Sequence, residues 1–225
     1  MPEDMHVAPV VDINNVIDLD RIGDGAVSTV PFPFLVAHNV ISRDFAPLFR
    51  RDFPDIKRPG FLPLDSMARQ GVFDRLVAQL EGPALAAILS DKLKVELDDK
   101  PRIVTVRKWS EREAGRIHVD GPSKIVTSLV YLNETWPETE DGGRFRILRS
   151  SDSFDDCAAE VLPMFGTFVA FVRSDNSWHG HKPFVGERRV VQTAWLKSEA
   201  DLVRKRKRGH LALALKNLLG RATGP

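Results

Sequence analysis

The sequence predicts a mainly β domain, a sandwich or barrel, with α-helices supporting it. Three observations lead there. Short runs rich in β-branched and aromatic residues recur between residues 102 and 197. Clusters of Gly, Pro and Asp punctuate them. Helical spacing dominates the first hundred residues and returns in the basic tail.

Taken in order, Pro31 to Val36 (PFPFLV) reads as a short extended segment. Ser42 stands where an N-cap would, ahead of Arg43 to Phe53, in which Phe45, Leu48, Phe49 and Phe53 fall at helical spacing. Phe73 to Leu80 and Ala84 to Leu93 give two further helical patterns, and Gly82-Pro83 between them stops one and starts the other. The texture then becomes β. Arg102 to Trp109 (RIVTVRKW) alternates, and Ile125 to Leu132, Thr167 to Val172 and Arg189 to Leu196 are rich in Val, Ile, Thr and aromatics. Turns are expected at Gly121-Pro122, at Asp141-Gly142-Gly143 and from Pro163 to Gly166. The chain thus divides into a mixed, largely helical support (1–101), a β core (102–197) and a basic tail (198–225). In the tail RKRKR (204–208) precedes Leu211, Leu213, Leu215, Leu218 and Leu219, the pattern of an amphipathic helix. It is expected to pack on the domain with its charges in solvent; the sharper alternative is contact with an anionic surface.

A chain of 225 residues suits one domain. Its 32 Lys and Arg against 31 Asp and Glu leave no charge excess for a polyanion, so nucleic acid is not expected as a partner. A single cysteine, Cys157, excludes an intrachain disulfide and a Cys-rich zinc site, and fits a reducing compartment. The first twenty residues carry early acids and no long apolar run, unlike a secretory signal, and no segment approaches the roughly 20 apolar residues of a membrane span. The expected location is the cytoplasm.

The chemistry centres on His118-Val119-Asp120. Residues two apart on a strand, or at its end, point to one side, so an imidazole and a carboxylate converge. A second histidine from a distant strand would complete a face of two His and one carboxylate. Such a face leaves adjacent metal positions open, as non-haem Fe(II) oxygen chemistry requires. HxD alone is as common in a surface turn. The distal partner changes the balance: His179 and His181 both lie in SWHGHKPFVGERR.

At this point the chain resembles a known family. RIHVDGPSKIVTSLVYLNETWPETEDGGRFRIL followed by VLPMFGTFVAFVRSDNSWHGHKPFVGERRVVQTAWL is similar to the prolyl 4-hydroxylase-like branch of the 2-oxoglutarate/Fe(II)-dependent dioxygenases. HxD, a YLN strand, a Gly-Gly turn, a P-x-x-G-x-x-V-x-F strand and a distal His with a following G-x-R occur in the family's order, over roughly residues 102 to 197. The resemblance implies a double-stranded β-helix, a distorted jelly roll, flanked by N-terminal helices and a C-terminal helix. It implies that His118 and Asp120 are the first two iron ligands and that His179, spaced correctly before Lys182-Pro183, is the third. His181 competes, since it would share the strand face.

The resemblance also implies Fe(II), 2-oxoglutarate and O2 as reaction partners, with ascorbate in support. The far carboxylate of 2-oxoglutarate needs a buried, always charged, bidentate partner, which Arg offers. Gly186-Glu187-Arg188 matches the family's G-x-R and selects Arg188; counting back from Thr193 and Trp195 selects Arg189. Neighbours on a strand face opposite ways, so one of the two points inward. Tyr131, the only tyrosine, either hydrogen-bonds the same carboxylate, as in the resemblance, or is a core aromatic. Trp195 is likewise pocket wall or core. Collagen-modifying and oxygen-sensing members place a Tyr upstream of the HxD; here that region reads VRKWSEREAGR, with Lys108 nearest, facing an acidic substrate group or solvent.

The implied activity is hydroxylation of an unactivated C–H bond in a prolyl-like, amino-acid or other small-molecule or peptidyl substrate, with release of succinate and CO2. Two alternatives stand beside it: a cupin-type metal-binding jelly roll that does not use 2-oxoglutarate, and a non-catalytic binding module on the same fold.

Overall fold

The computed structural model describes residues 12–222. Residues 1–11, on which much of the reading of the N-terminus rests, lie outside the described residues, as do the side chains of Leu213, Leu215, Leu218 and Leu219.

The N-terminal third alternates short strands with helices. Helix α1 (Leu19–Asp24) starts at Asp18, whose carboxylate accepts from the Arg21 N–H. Strands β1 (Val27–Ser28) and β2 (Phe34–Ala37) follow. Ser42 caps as expected, accepting from the Asp44 N–H, but the helix it starts is split: a 3-10 turn (Arg43–Phe45) leads into α2 (Ala46–Asp52). After β3 (Leu62–Pro63) come α3 (Gly71–Glu81) and α4 (Pro83–Leu93), divided at Gly82 as the sequence indicates.

The β region holds β4 (Arg102–Ser110), β5 (Lys124–Tyr131), β6 (Phe145–Leu148), β7 (Cys157–Val161), β8 (Thr167–Val172), β9 (His179–Gly180) and β10 (Gly186–Leu196). Helix α5 (Glu199–Ala222) closes the described chain. Its Leu202 is buried against Ala194 and Leu196, while Arg204, Arg206, Lys207 and Arg208 are exposed. Among the described residues no helix is long and apolar enough to cross a membrane.

Seven strands form one antiparallel sheet in the order β1-β2-β8-β5-β10-β4-β3, and three form a second in the order β7-β6-β9. The two sheets pack as a double-stranded β-helix with helices outside, the fold class expected. Period-two alternation gives the large sheet two buried faces. Val126, Val130, Phe168, Ala170, Val191 and Trp195 meet the helices, where Phe73, Leu76, Leu80, Leu85 and Leu89 wait. Leu129, Tyr131, Val169, Phe171 and Val190 turn the other way and meet Phe145, Ile147 and Val161 of the small sheet. The site lies at the open end of this second core.

Candidate active site

His118 and His179 are cross-strand partners. Each donates its N–H to the other's carbonyl, at 3.1 and 3.0 Å. A directly opposed pair places both side chains on one face, and the two imidazoles lie with ring centroids 4.3 Å apart. Asp120, two residues along, joins them from the same side. His118, Asp120 and His179 each offer a ligand atom within 4.8 Å of the others, the one such group containing them among the described residues.

The imidazoles are oriented for ligation. The Nδ1 atoms of His118 and His179 lie 2.8 Å from the carbonyls of Arg116 and Ser177. A carbonyl only accepts, so each Nδ1 carries a proton and Nε2 is the ring nitrogen left for a metal. Burial holds the His179 imidazole down to about 4, with Asp120 opposing and His118 adding to the shift, so it is neutral at pH 7. Phe171 packs on the same ring at 4.5 Å and fixes its plane.

Asp120 is buried and held at both oxygens. Lys124 Nζ donates to one at 2.6 Å and Thr127 Oγ1 to the other at 2.6 Å. Desolvation pushes its carboxyl up, but Lys124 and His179 outweigh it and bring it down to about 2. Each carboxylate oxygen retains a further lone pair. Two imidazoles and one ionised carboxylate on one face form the donor set that suits Fe(II) with positions left open.

A cavity of about 280 Å³ opens from these ligands. Leu129, Phe145 and Phe171 supply apolar wall, and Arg107, Lys124 and Arg188 supply positive charge. Arg188 is 3% exposed. Its Nε donates to the Gly143 carbonyl at 2.8 Å and its Nη2 to the Tyr131 hydroxyl at 3.2 Å. Gly143 sits in the expected Gly-Gly turn at φ +73°, and a Cβ there would come within 2.6 Å of Trp136. Arg189 faces away, pairing with Glu187 and lying over the Phe53 ring at 5.3 Å.

Residues 104–197 match the model of the 2OG-Fe(II) oxygenase superfamily. Over this segment the chain is similar to that superfamily. Solved structures agree on the fold. A prolyl-4-hydroxylase from Pseudomonas putida matches with TM-score 0.52 at 19% identity, over 85% of this chain and 96% of its own. A prolyl 4-hydroxylase from Phytophthora capsici gives 0.52 at 19%, over 93% and 78%. A viral collagen prolyl hydroxylase from Paramecium Bursaria Chlorella virus-1, solved as its 2OG complex, gives 0.50 at 14%, over 74% and 96%. None of the curated proteins matches by sequence. The reaction partners of the superfamily, Fe(II), 2-oxoglutarate and O2, are those the sequence suggests.

The structure places the remaining sequence candidates as follows. Lys108 is not in the cavity wall: it shares the strand face of Val104 and Val106 and lies over Trp109, while Arg107 faces the cavity. Trp195 is fully buried in the core beneath the helices, the second of its two readings, and is not part of this cavity's wall. His181 is outside the ligand group. It forms cavity wall against Gly115, with Nδ1 against the Lys182 carbonyl and a buried Nε2 that has no hydrogen-bond partner among the described residues. Tyr131 is fully buried, and its hydroxyl accepts from Arg188 Nη2. Sequence reasoning missed Arg107, Lys124 and Thr127. Only Arg107 had a signal: Val104 and Val106 alternate toward the core, which sends the odd positions of that strand the other way.

Proposed function

We propose that this chain is a 2-oxoglutarate/Fe(II)-dependent hydroxylase in which His118, Asp120 and His179 hold Fe(II) and Arg188 anchors 2-oxoglutarate. When bound, the metal and cosubstrate supply oxidation of a C–H bond by O2, with 2-oxoglutarate converted to succinate and CO2. The chain's residues do the rest. Asp120 and the two imidazoles present three donors from one side. Lys124 and Thr127 keep the Asp120 carboxylate ionised and fixed. Arg188, held by the Gly143 carbonyl and the Tyr131 hydroxyl, offers its remaining N–H groups to the far carboxylate. Leu129, Phe145 and Phe171 exclude water, which strengthens that contact.

The observation that carries this reading is the placement of a buried Arg188, with no carboxylate partner among the described residues, in the same cavity as the three donors. A cupin-type metal protein has no use for such a group. The substrate is a prolyl-like, amino-acid or other small-molecule or peptidyl group, and the setting is cytoplasmic, in keeping with the free thiol of Cys157. The test is succinate release from 2-oxoglutarate in air with added Fe(II), with the wild type and His179→Ala compared. Iron-dependent succinate that disappears in the variant supports the reading. Succinate release unchanged in the variant contradicts it.

A further inference from the structure

Arg107 is a buried cation without an ion-pair partner among the described residues. It is 8% exposed, and among the described residues its buried Nε has no hydrogen-bond partner. Its guanidinium lies over the Phe61 ring at 4.3 Å, so one face is covered by the aromatic and the N–H edge is left for a ligand. A structural arginine in this position would have a carboxylate or carbonyl beside it, since an unpaired buried charge costs several kcal/mol. Arg107 instead faces the cavity together with Arg188 and Lys124, against Asp120 as the only carboxylate of its wall among the described residues.

Each of the other charges has a task. Lys124 pairs with Asp120. Arg188 is held by Tyr131 and Gly143 and serves 2-oxoglutarate in the function proposed above. The two charges of Fe(II) and the two of 2-oxoglutarate cancel. The excess positive charge is therefore still present when the site is loaded. We propose that Arg107 docks a carboxylate of the primary substrate, which makes the substrate an organic acid that places its C–H bond over the metal while its acid group meets Arg107; this rests on the functional reading above. A single edge-on guanidinium matches a planar monoanion in a bidentate pair. A phosphate dianion would call on more donors than this one free fork provides. The cavity, about 280 Å³, lies at the small end of ligand sites, which run roughly 300–1,000 Å³. It accommodates a small acid beside the cosubstrate.

The experiment uses the full chain loaded with Mn(II), which does not turn over, in wild type, Arg107→Gln, Arg107→Lys and Arg188→Gln, with circular dichroism to confirm folding. Calorimetry first measures 2-oxoglutarate. Arg188→Gln should weaken it at least tenfold and Arg107→Gln less than threefold; equal losses would make Arg107 a cosubstrate ligand and overturn the proposal. Ligand-observed NMR then screens small carboxylic acids, their primary amides and inorganic phosphate, with and without Mn(II) and 2-oxoglutarate. Acids that bind the wild type in preference to their amides, lose at least tenfold in Arg107→Gln and recover in part in Arg107→Lys support the proposal. Absence of any bound acid, or binding indifferent to Arg107, overturns it, and phosphate outcompeting every acid overturns the carboxylate assignment. If Mn(II) and 2-oxoglutarate fail to bind while Arg107-dependent acid binding persists, the functional reading fails and the docking role of Arg107 stands.

Discussion

Arg188 and Arg189 differ by one position and by everything that matters chemically. One is sealed in the cavity beside Tyr131, and the other pairs with Glu187 on the opposite face. Strand alternation demands such a split, yet it does not state which neighbour goes inward, and a bulge between Glu187 and Val190 shifts the local register. Only the structure fixes the phase. Arg188→Ala is expected to raise the dissociation constant of 2-oxoglutarate more than tenfold, since a hydrogen bond to a charged group is worth about 1.5–3 kcal/mol. Arg189→Ala should leave it within a factor of two by the same titration, and the reverse ranking would contradict the assignment of Arg188. The HxD and its distal His were legible at this scale because residue type alone carries the metal chemistry. The partners of Asp120 were not, because Lys124 and Thr127 reach it through a turn whose path the sequence does not specify.

Among the elements, the long ones were readable and the short ones were not. The β5, β8 and β10 runs carry enough β-branched residues to announce themselves, and α3 and α4 show clear helical spacing. Strands β6 and β9 did not, because β6 has four residues, one of them a charged Arg146, and β9 is His179 and Gly180 alone. Their extended form comes from pairing with each other and with His118, a tertiary cause. A similar dependence holds α3. Its N-cap residue, Gln70, makes no side-chain cap; instead Asp52 at the end of α2 accepts from the Val72 N–H at 3.0 Å. The hydrogen bond from Arg51 holds the Asp52 carboxyl below its ordinary value of 3.8, with the Val72 N–H assisting and burial opposing. A depressed carboxyl stabilises the fold above its unfolded pKa, and that contribution fades as pH falls below about 4. Asp52→Asn should therefore cost on the order of 1 kcal/mol at pH 7 in chemical denaturation. The gap from wild type should narrow toward pH 3, and an undiminished gap there would show that charge plays no part.

The whole molecule is a frame that brings distant segments to one cavity. Arg107 comes from β4, His118 and Asp120 from the segment before β5, His179 from β9 and Arg188 from β10. Their meeting depends on the interleaved strand order, which no local pattern in the sequence reveals. Since the folded chain alone assembles these donors, metal and cosubstrate should stabilise it against heat. At a hundred times the dissociation constant a ligand adds about 2.7 kcal/mol. With Mn(II) and 2-oxoglutarate together, the melting temperature should rise by roughly 5–10 °C for a domain of this size. Asp120→Ala should show no such rise in the same scan.

The most direct test of the central claim is an anaerobic titration of Fe(II) into the wild type and into His118→Ala, Asp120→Ala, His179→Ala and His181→Ala. The account predicts stoichiometric binding in the wild type and in His181→Ala, and its loss in the other three. Binding that survives in His179→Ala and disappears in His181→Ala would contradict it.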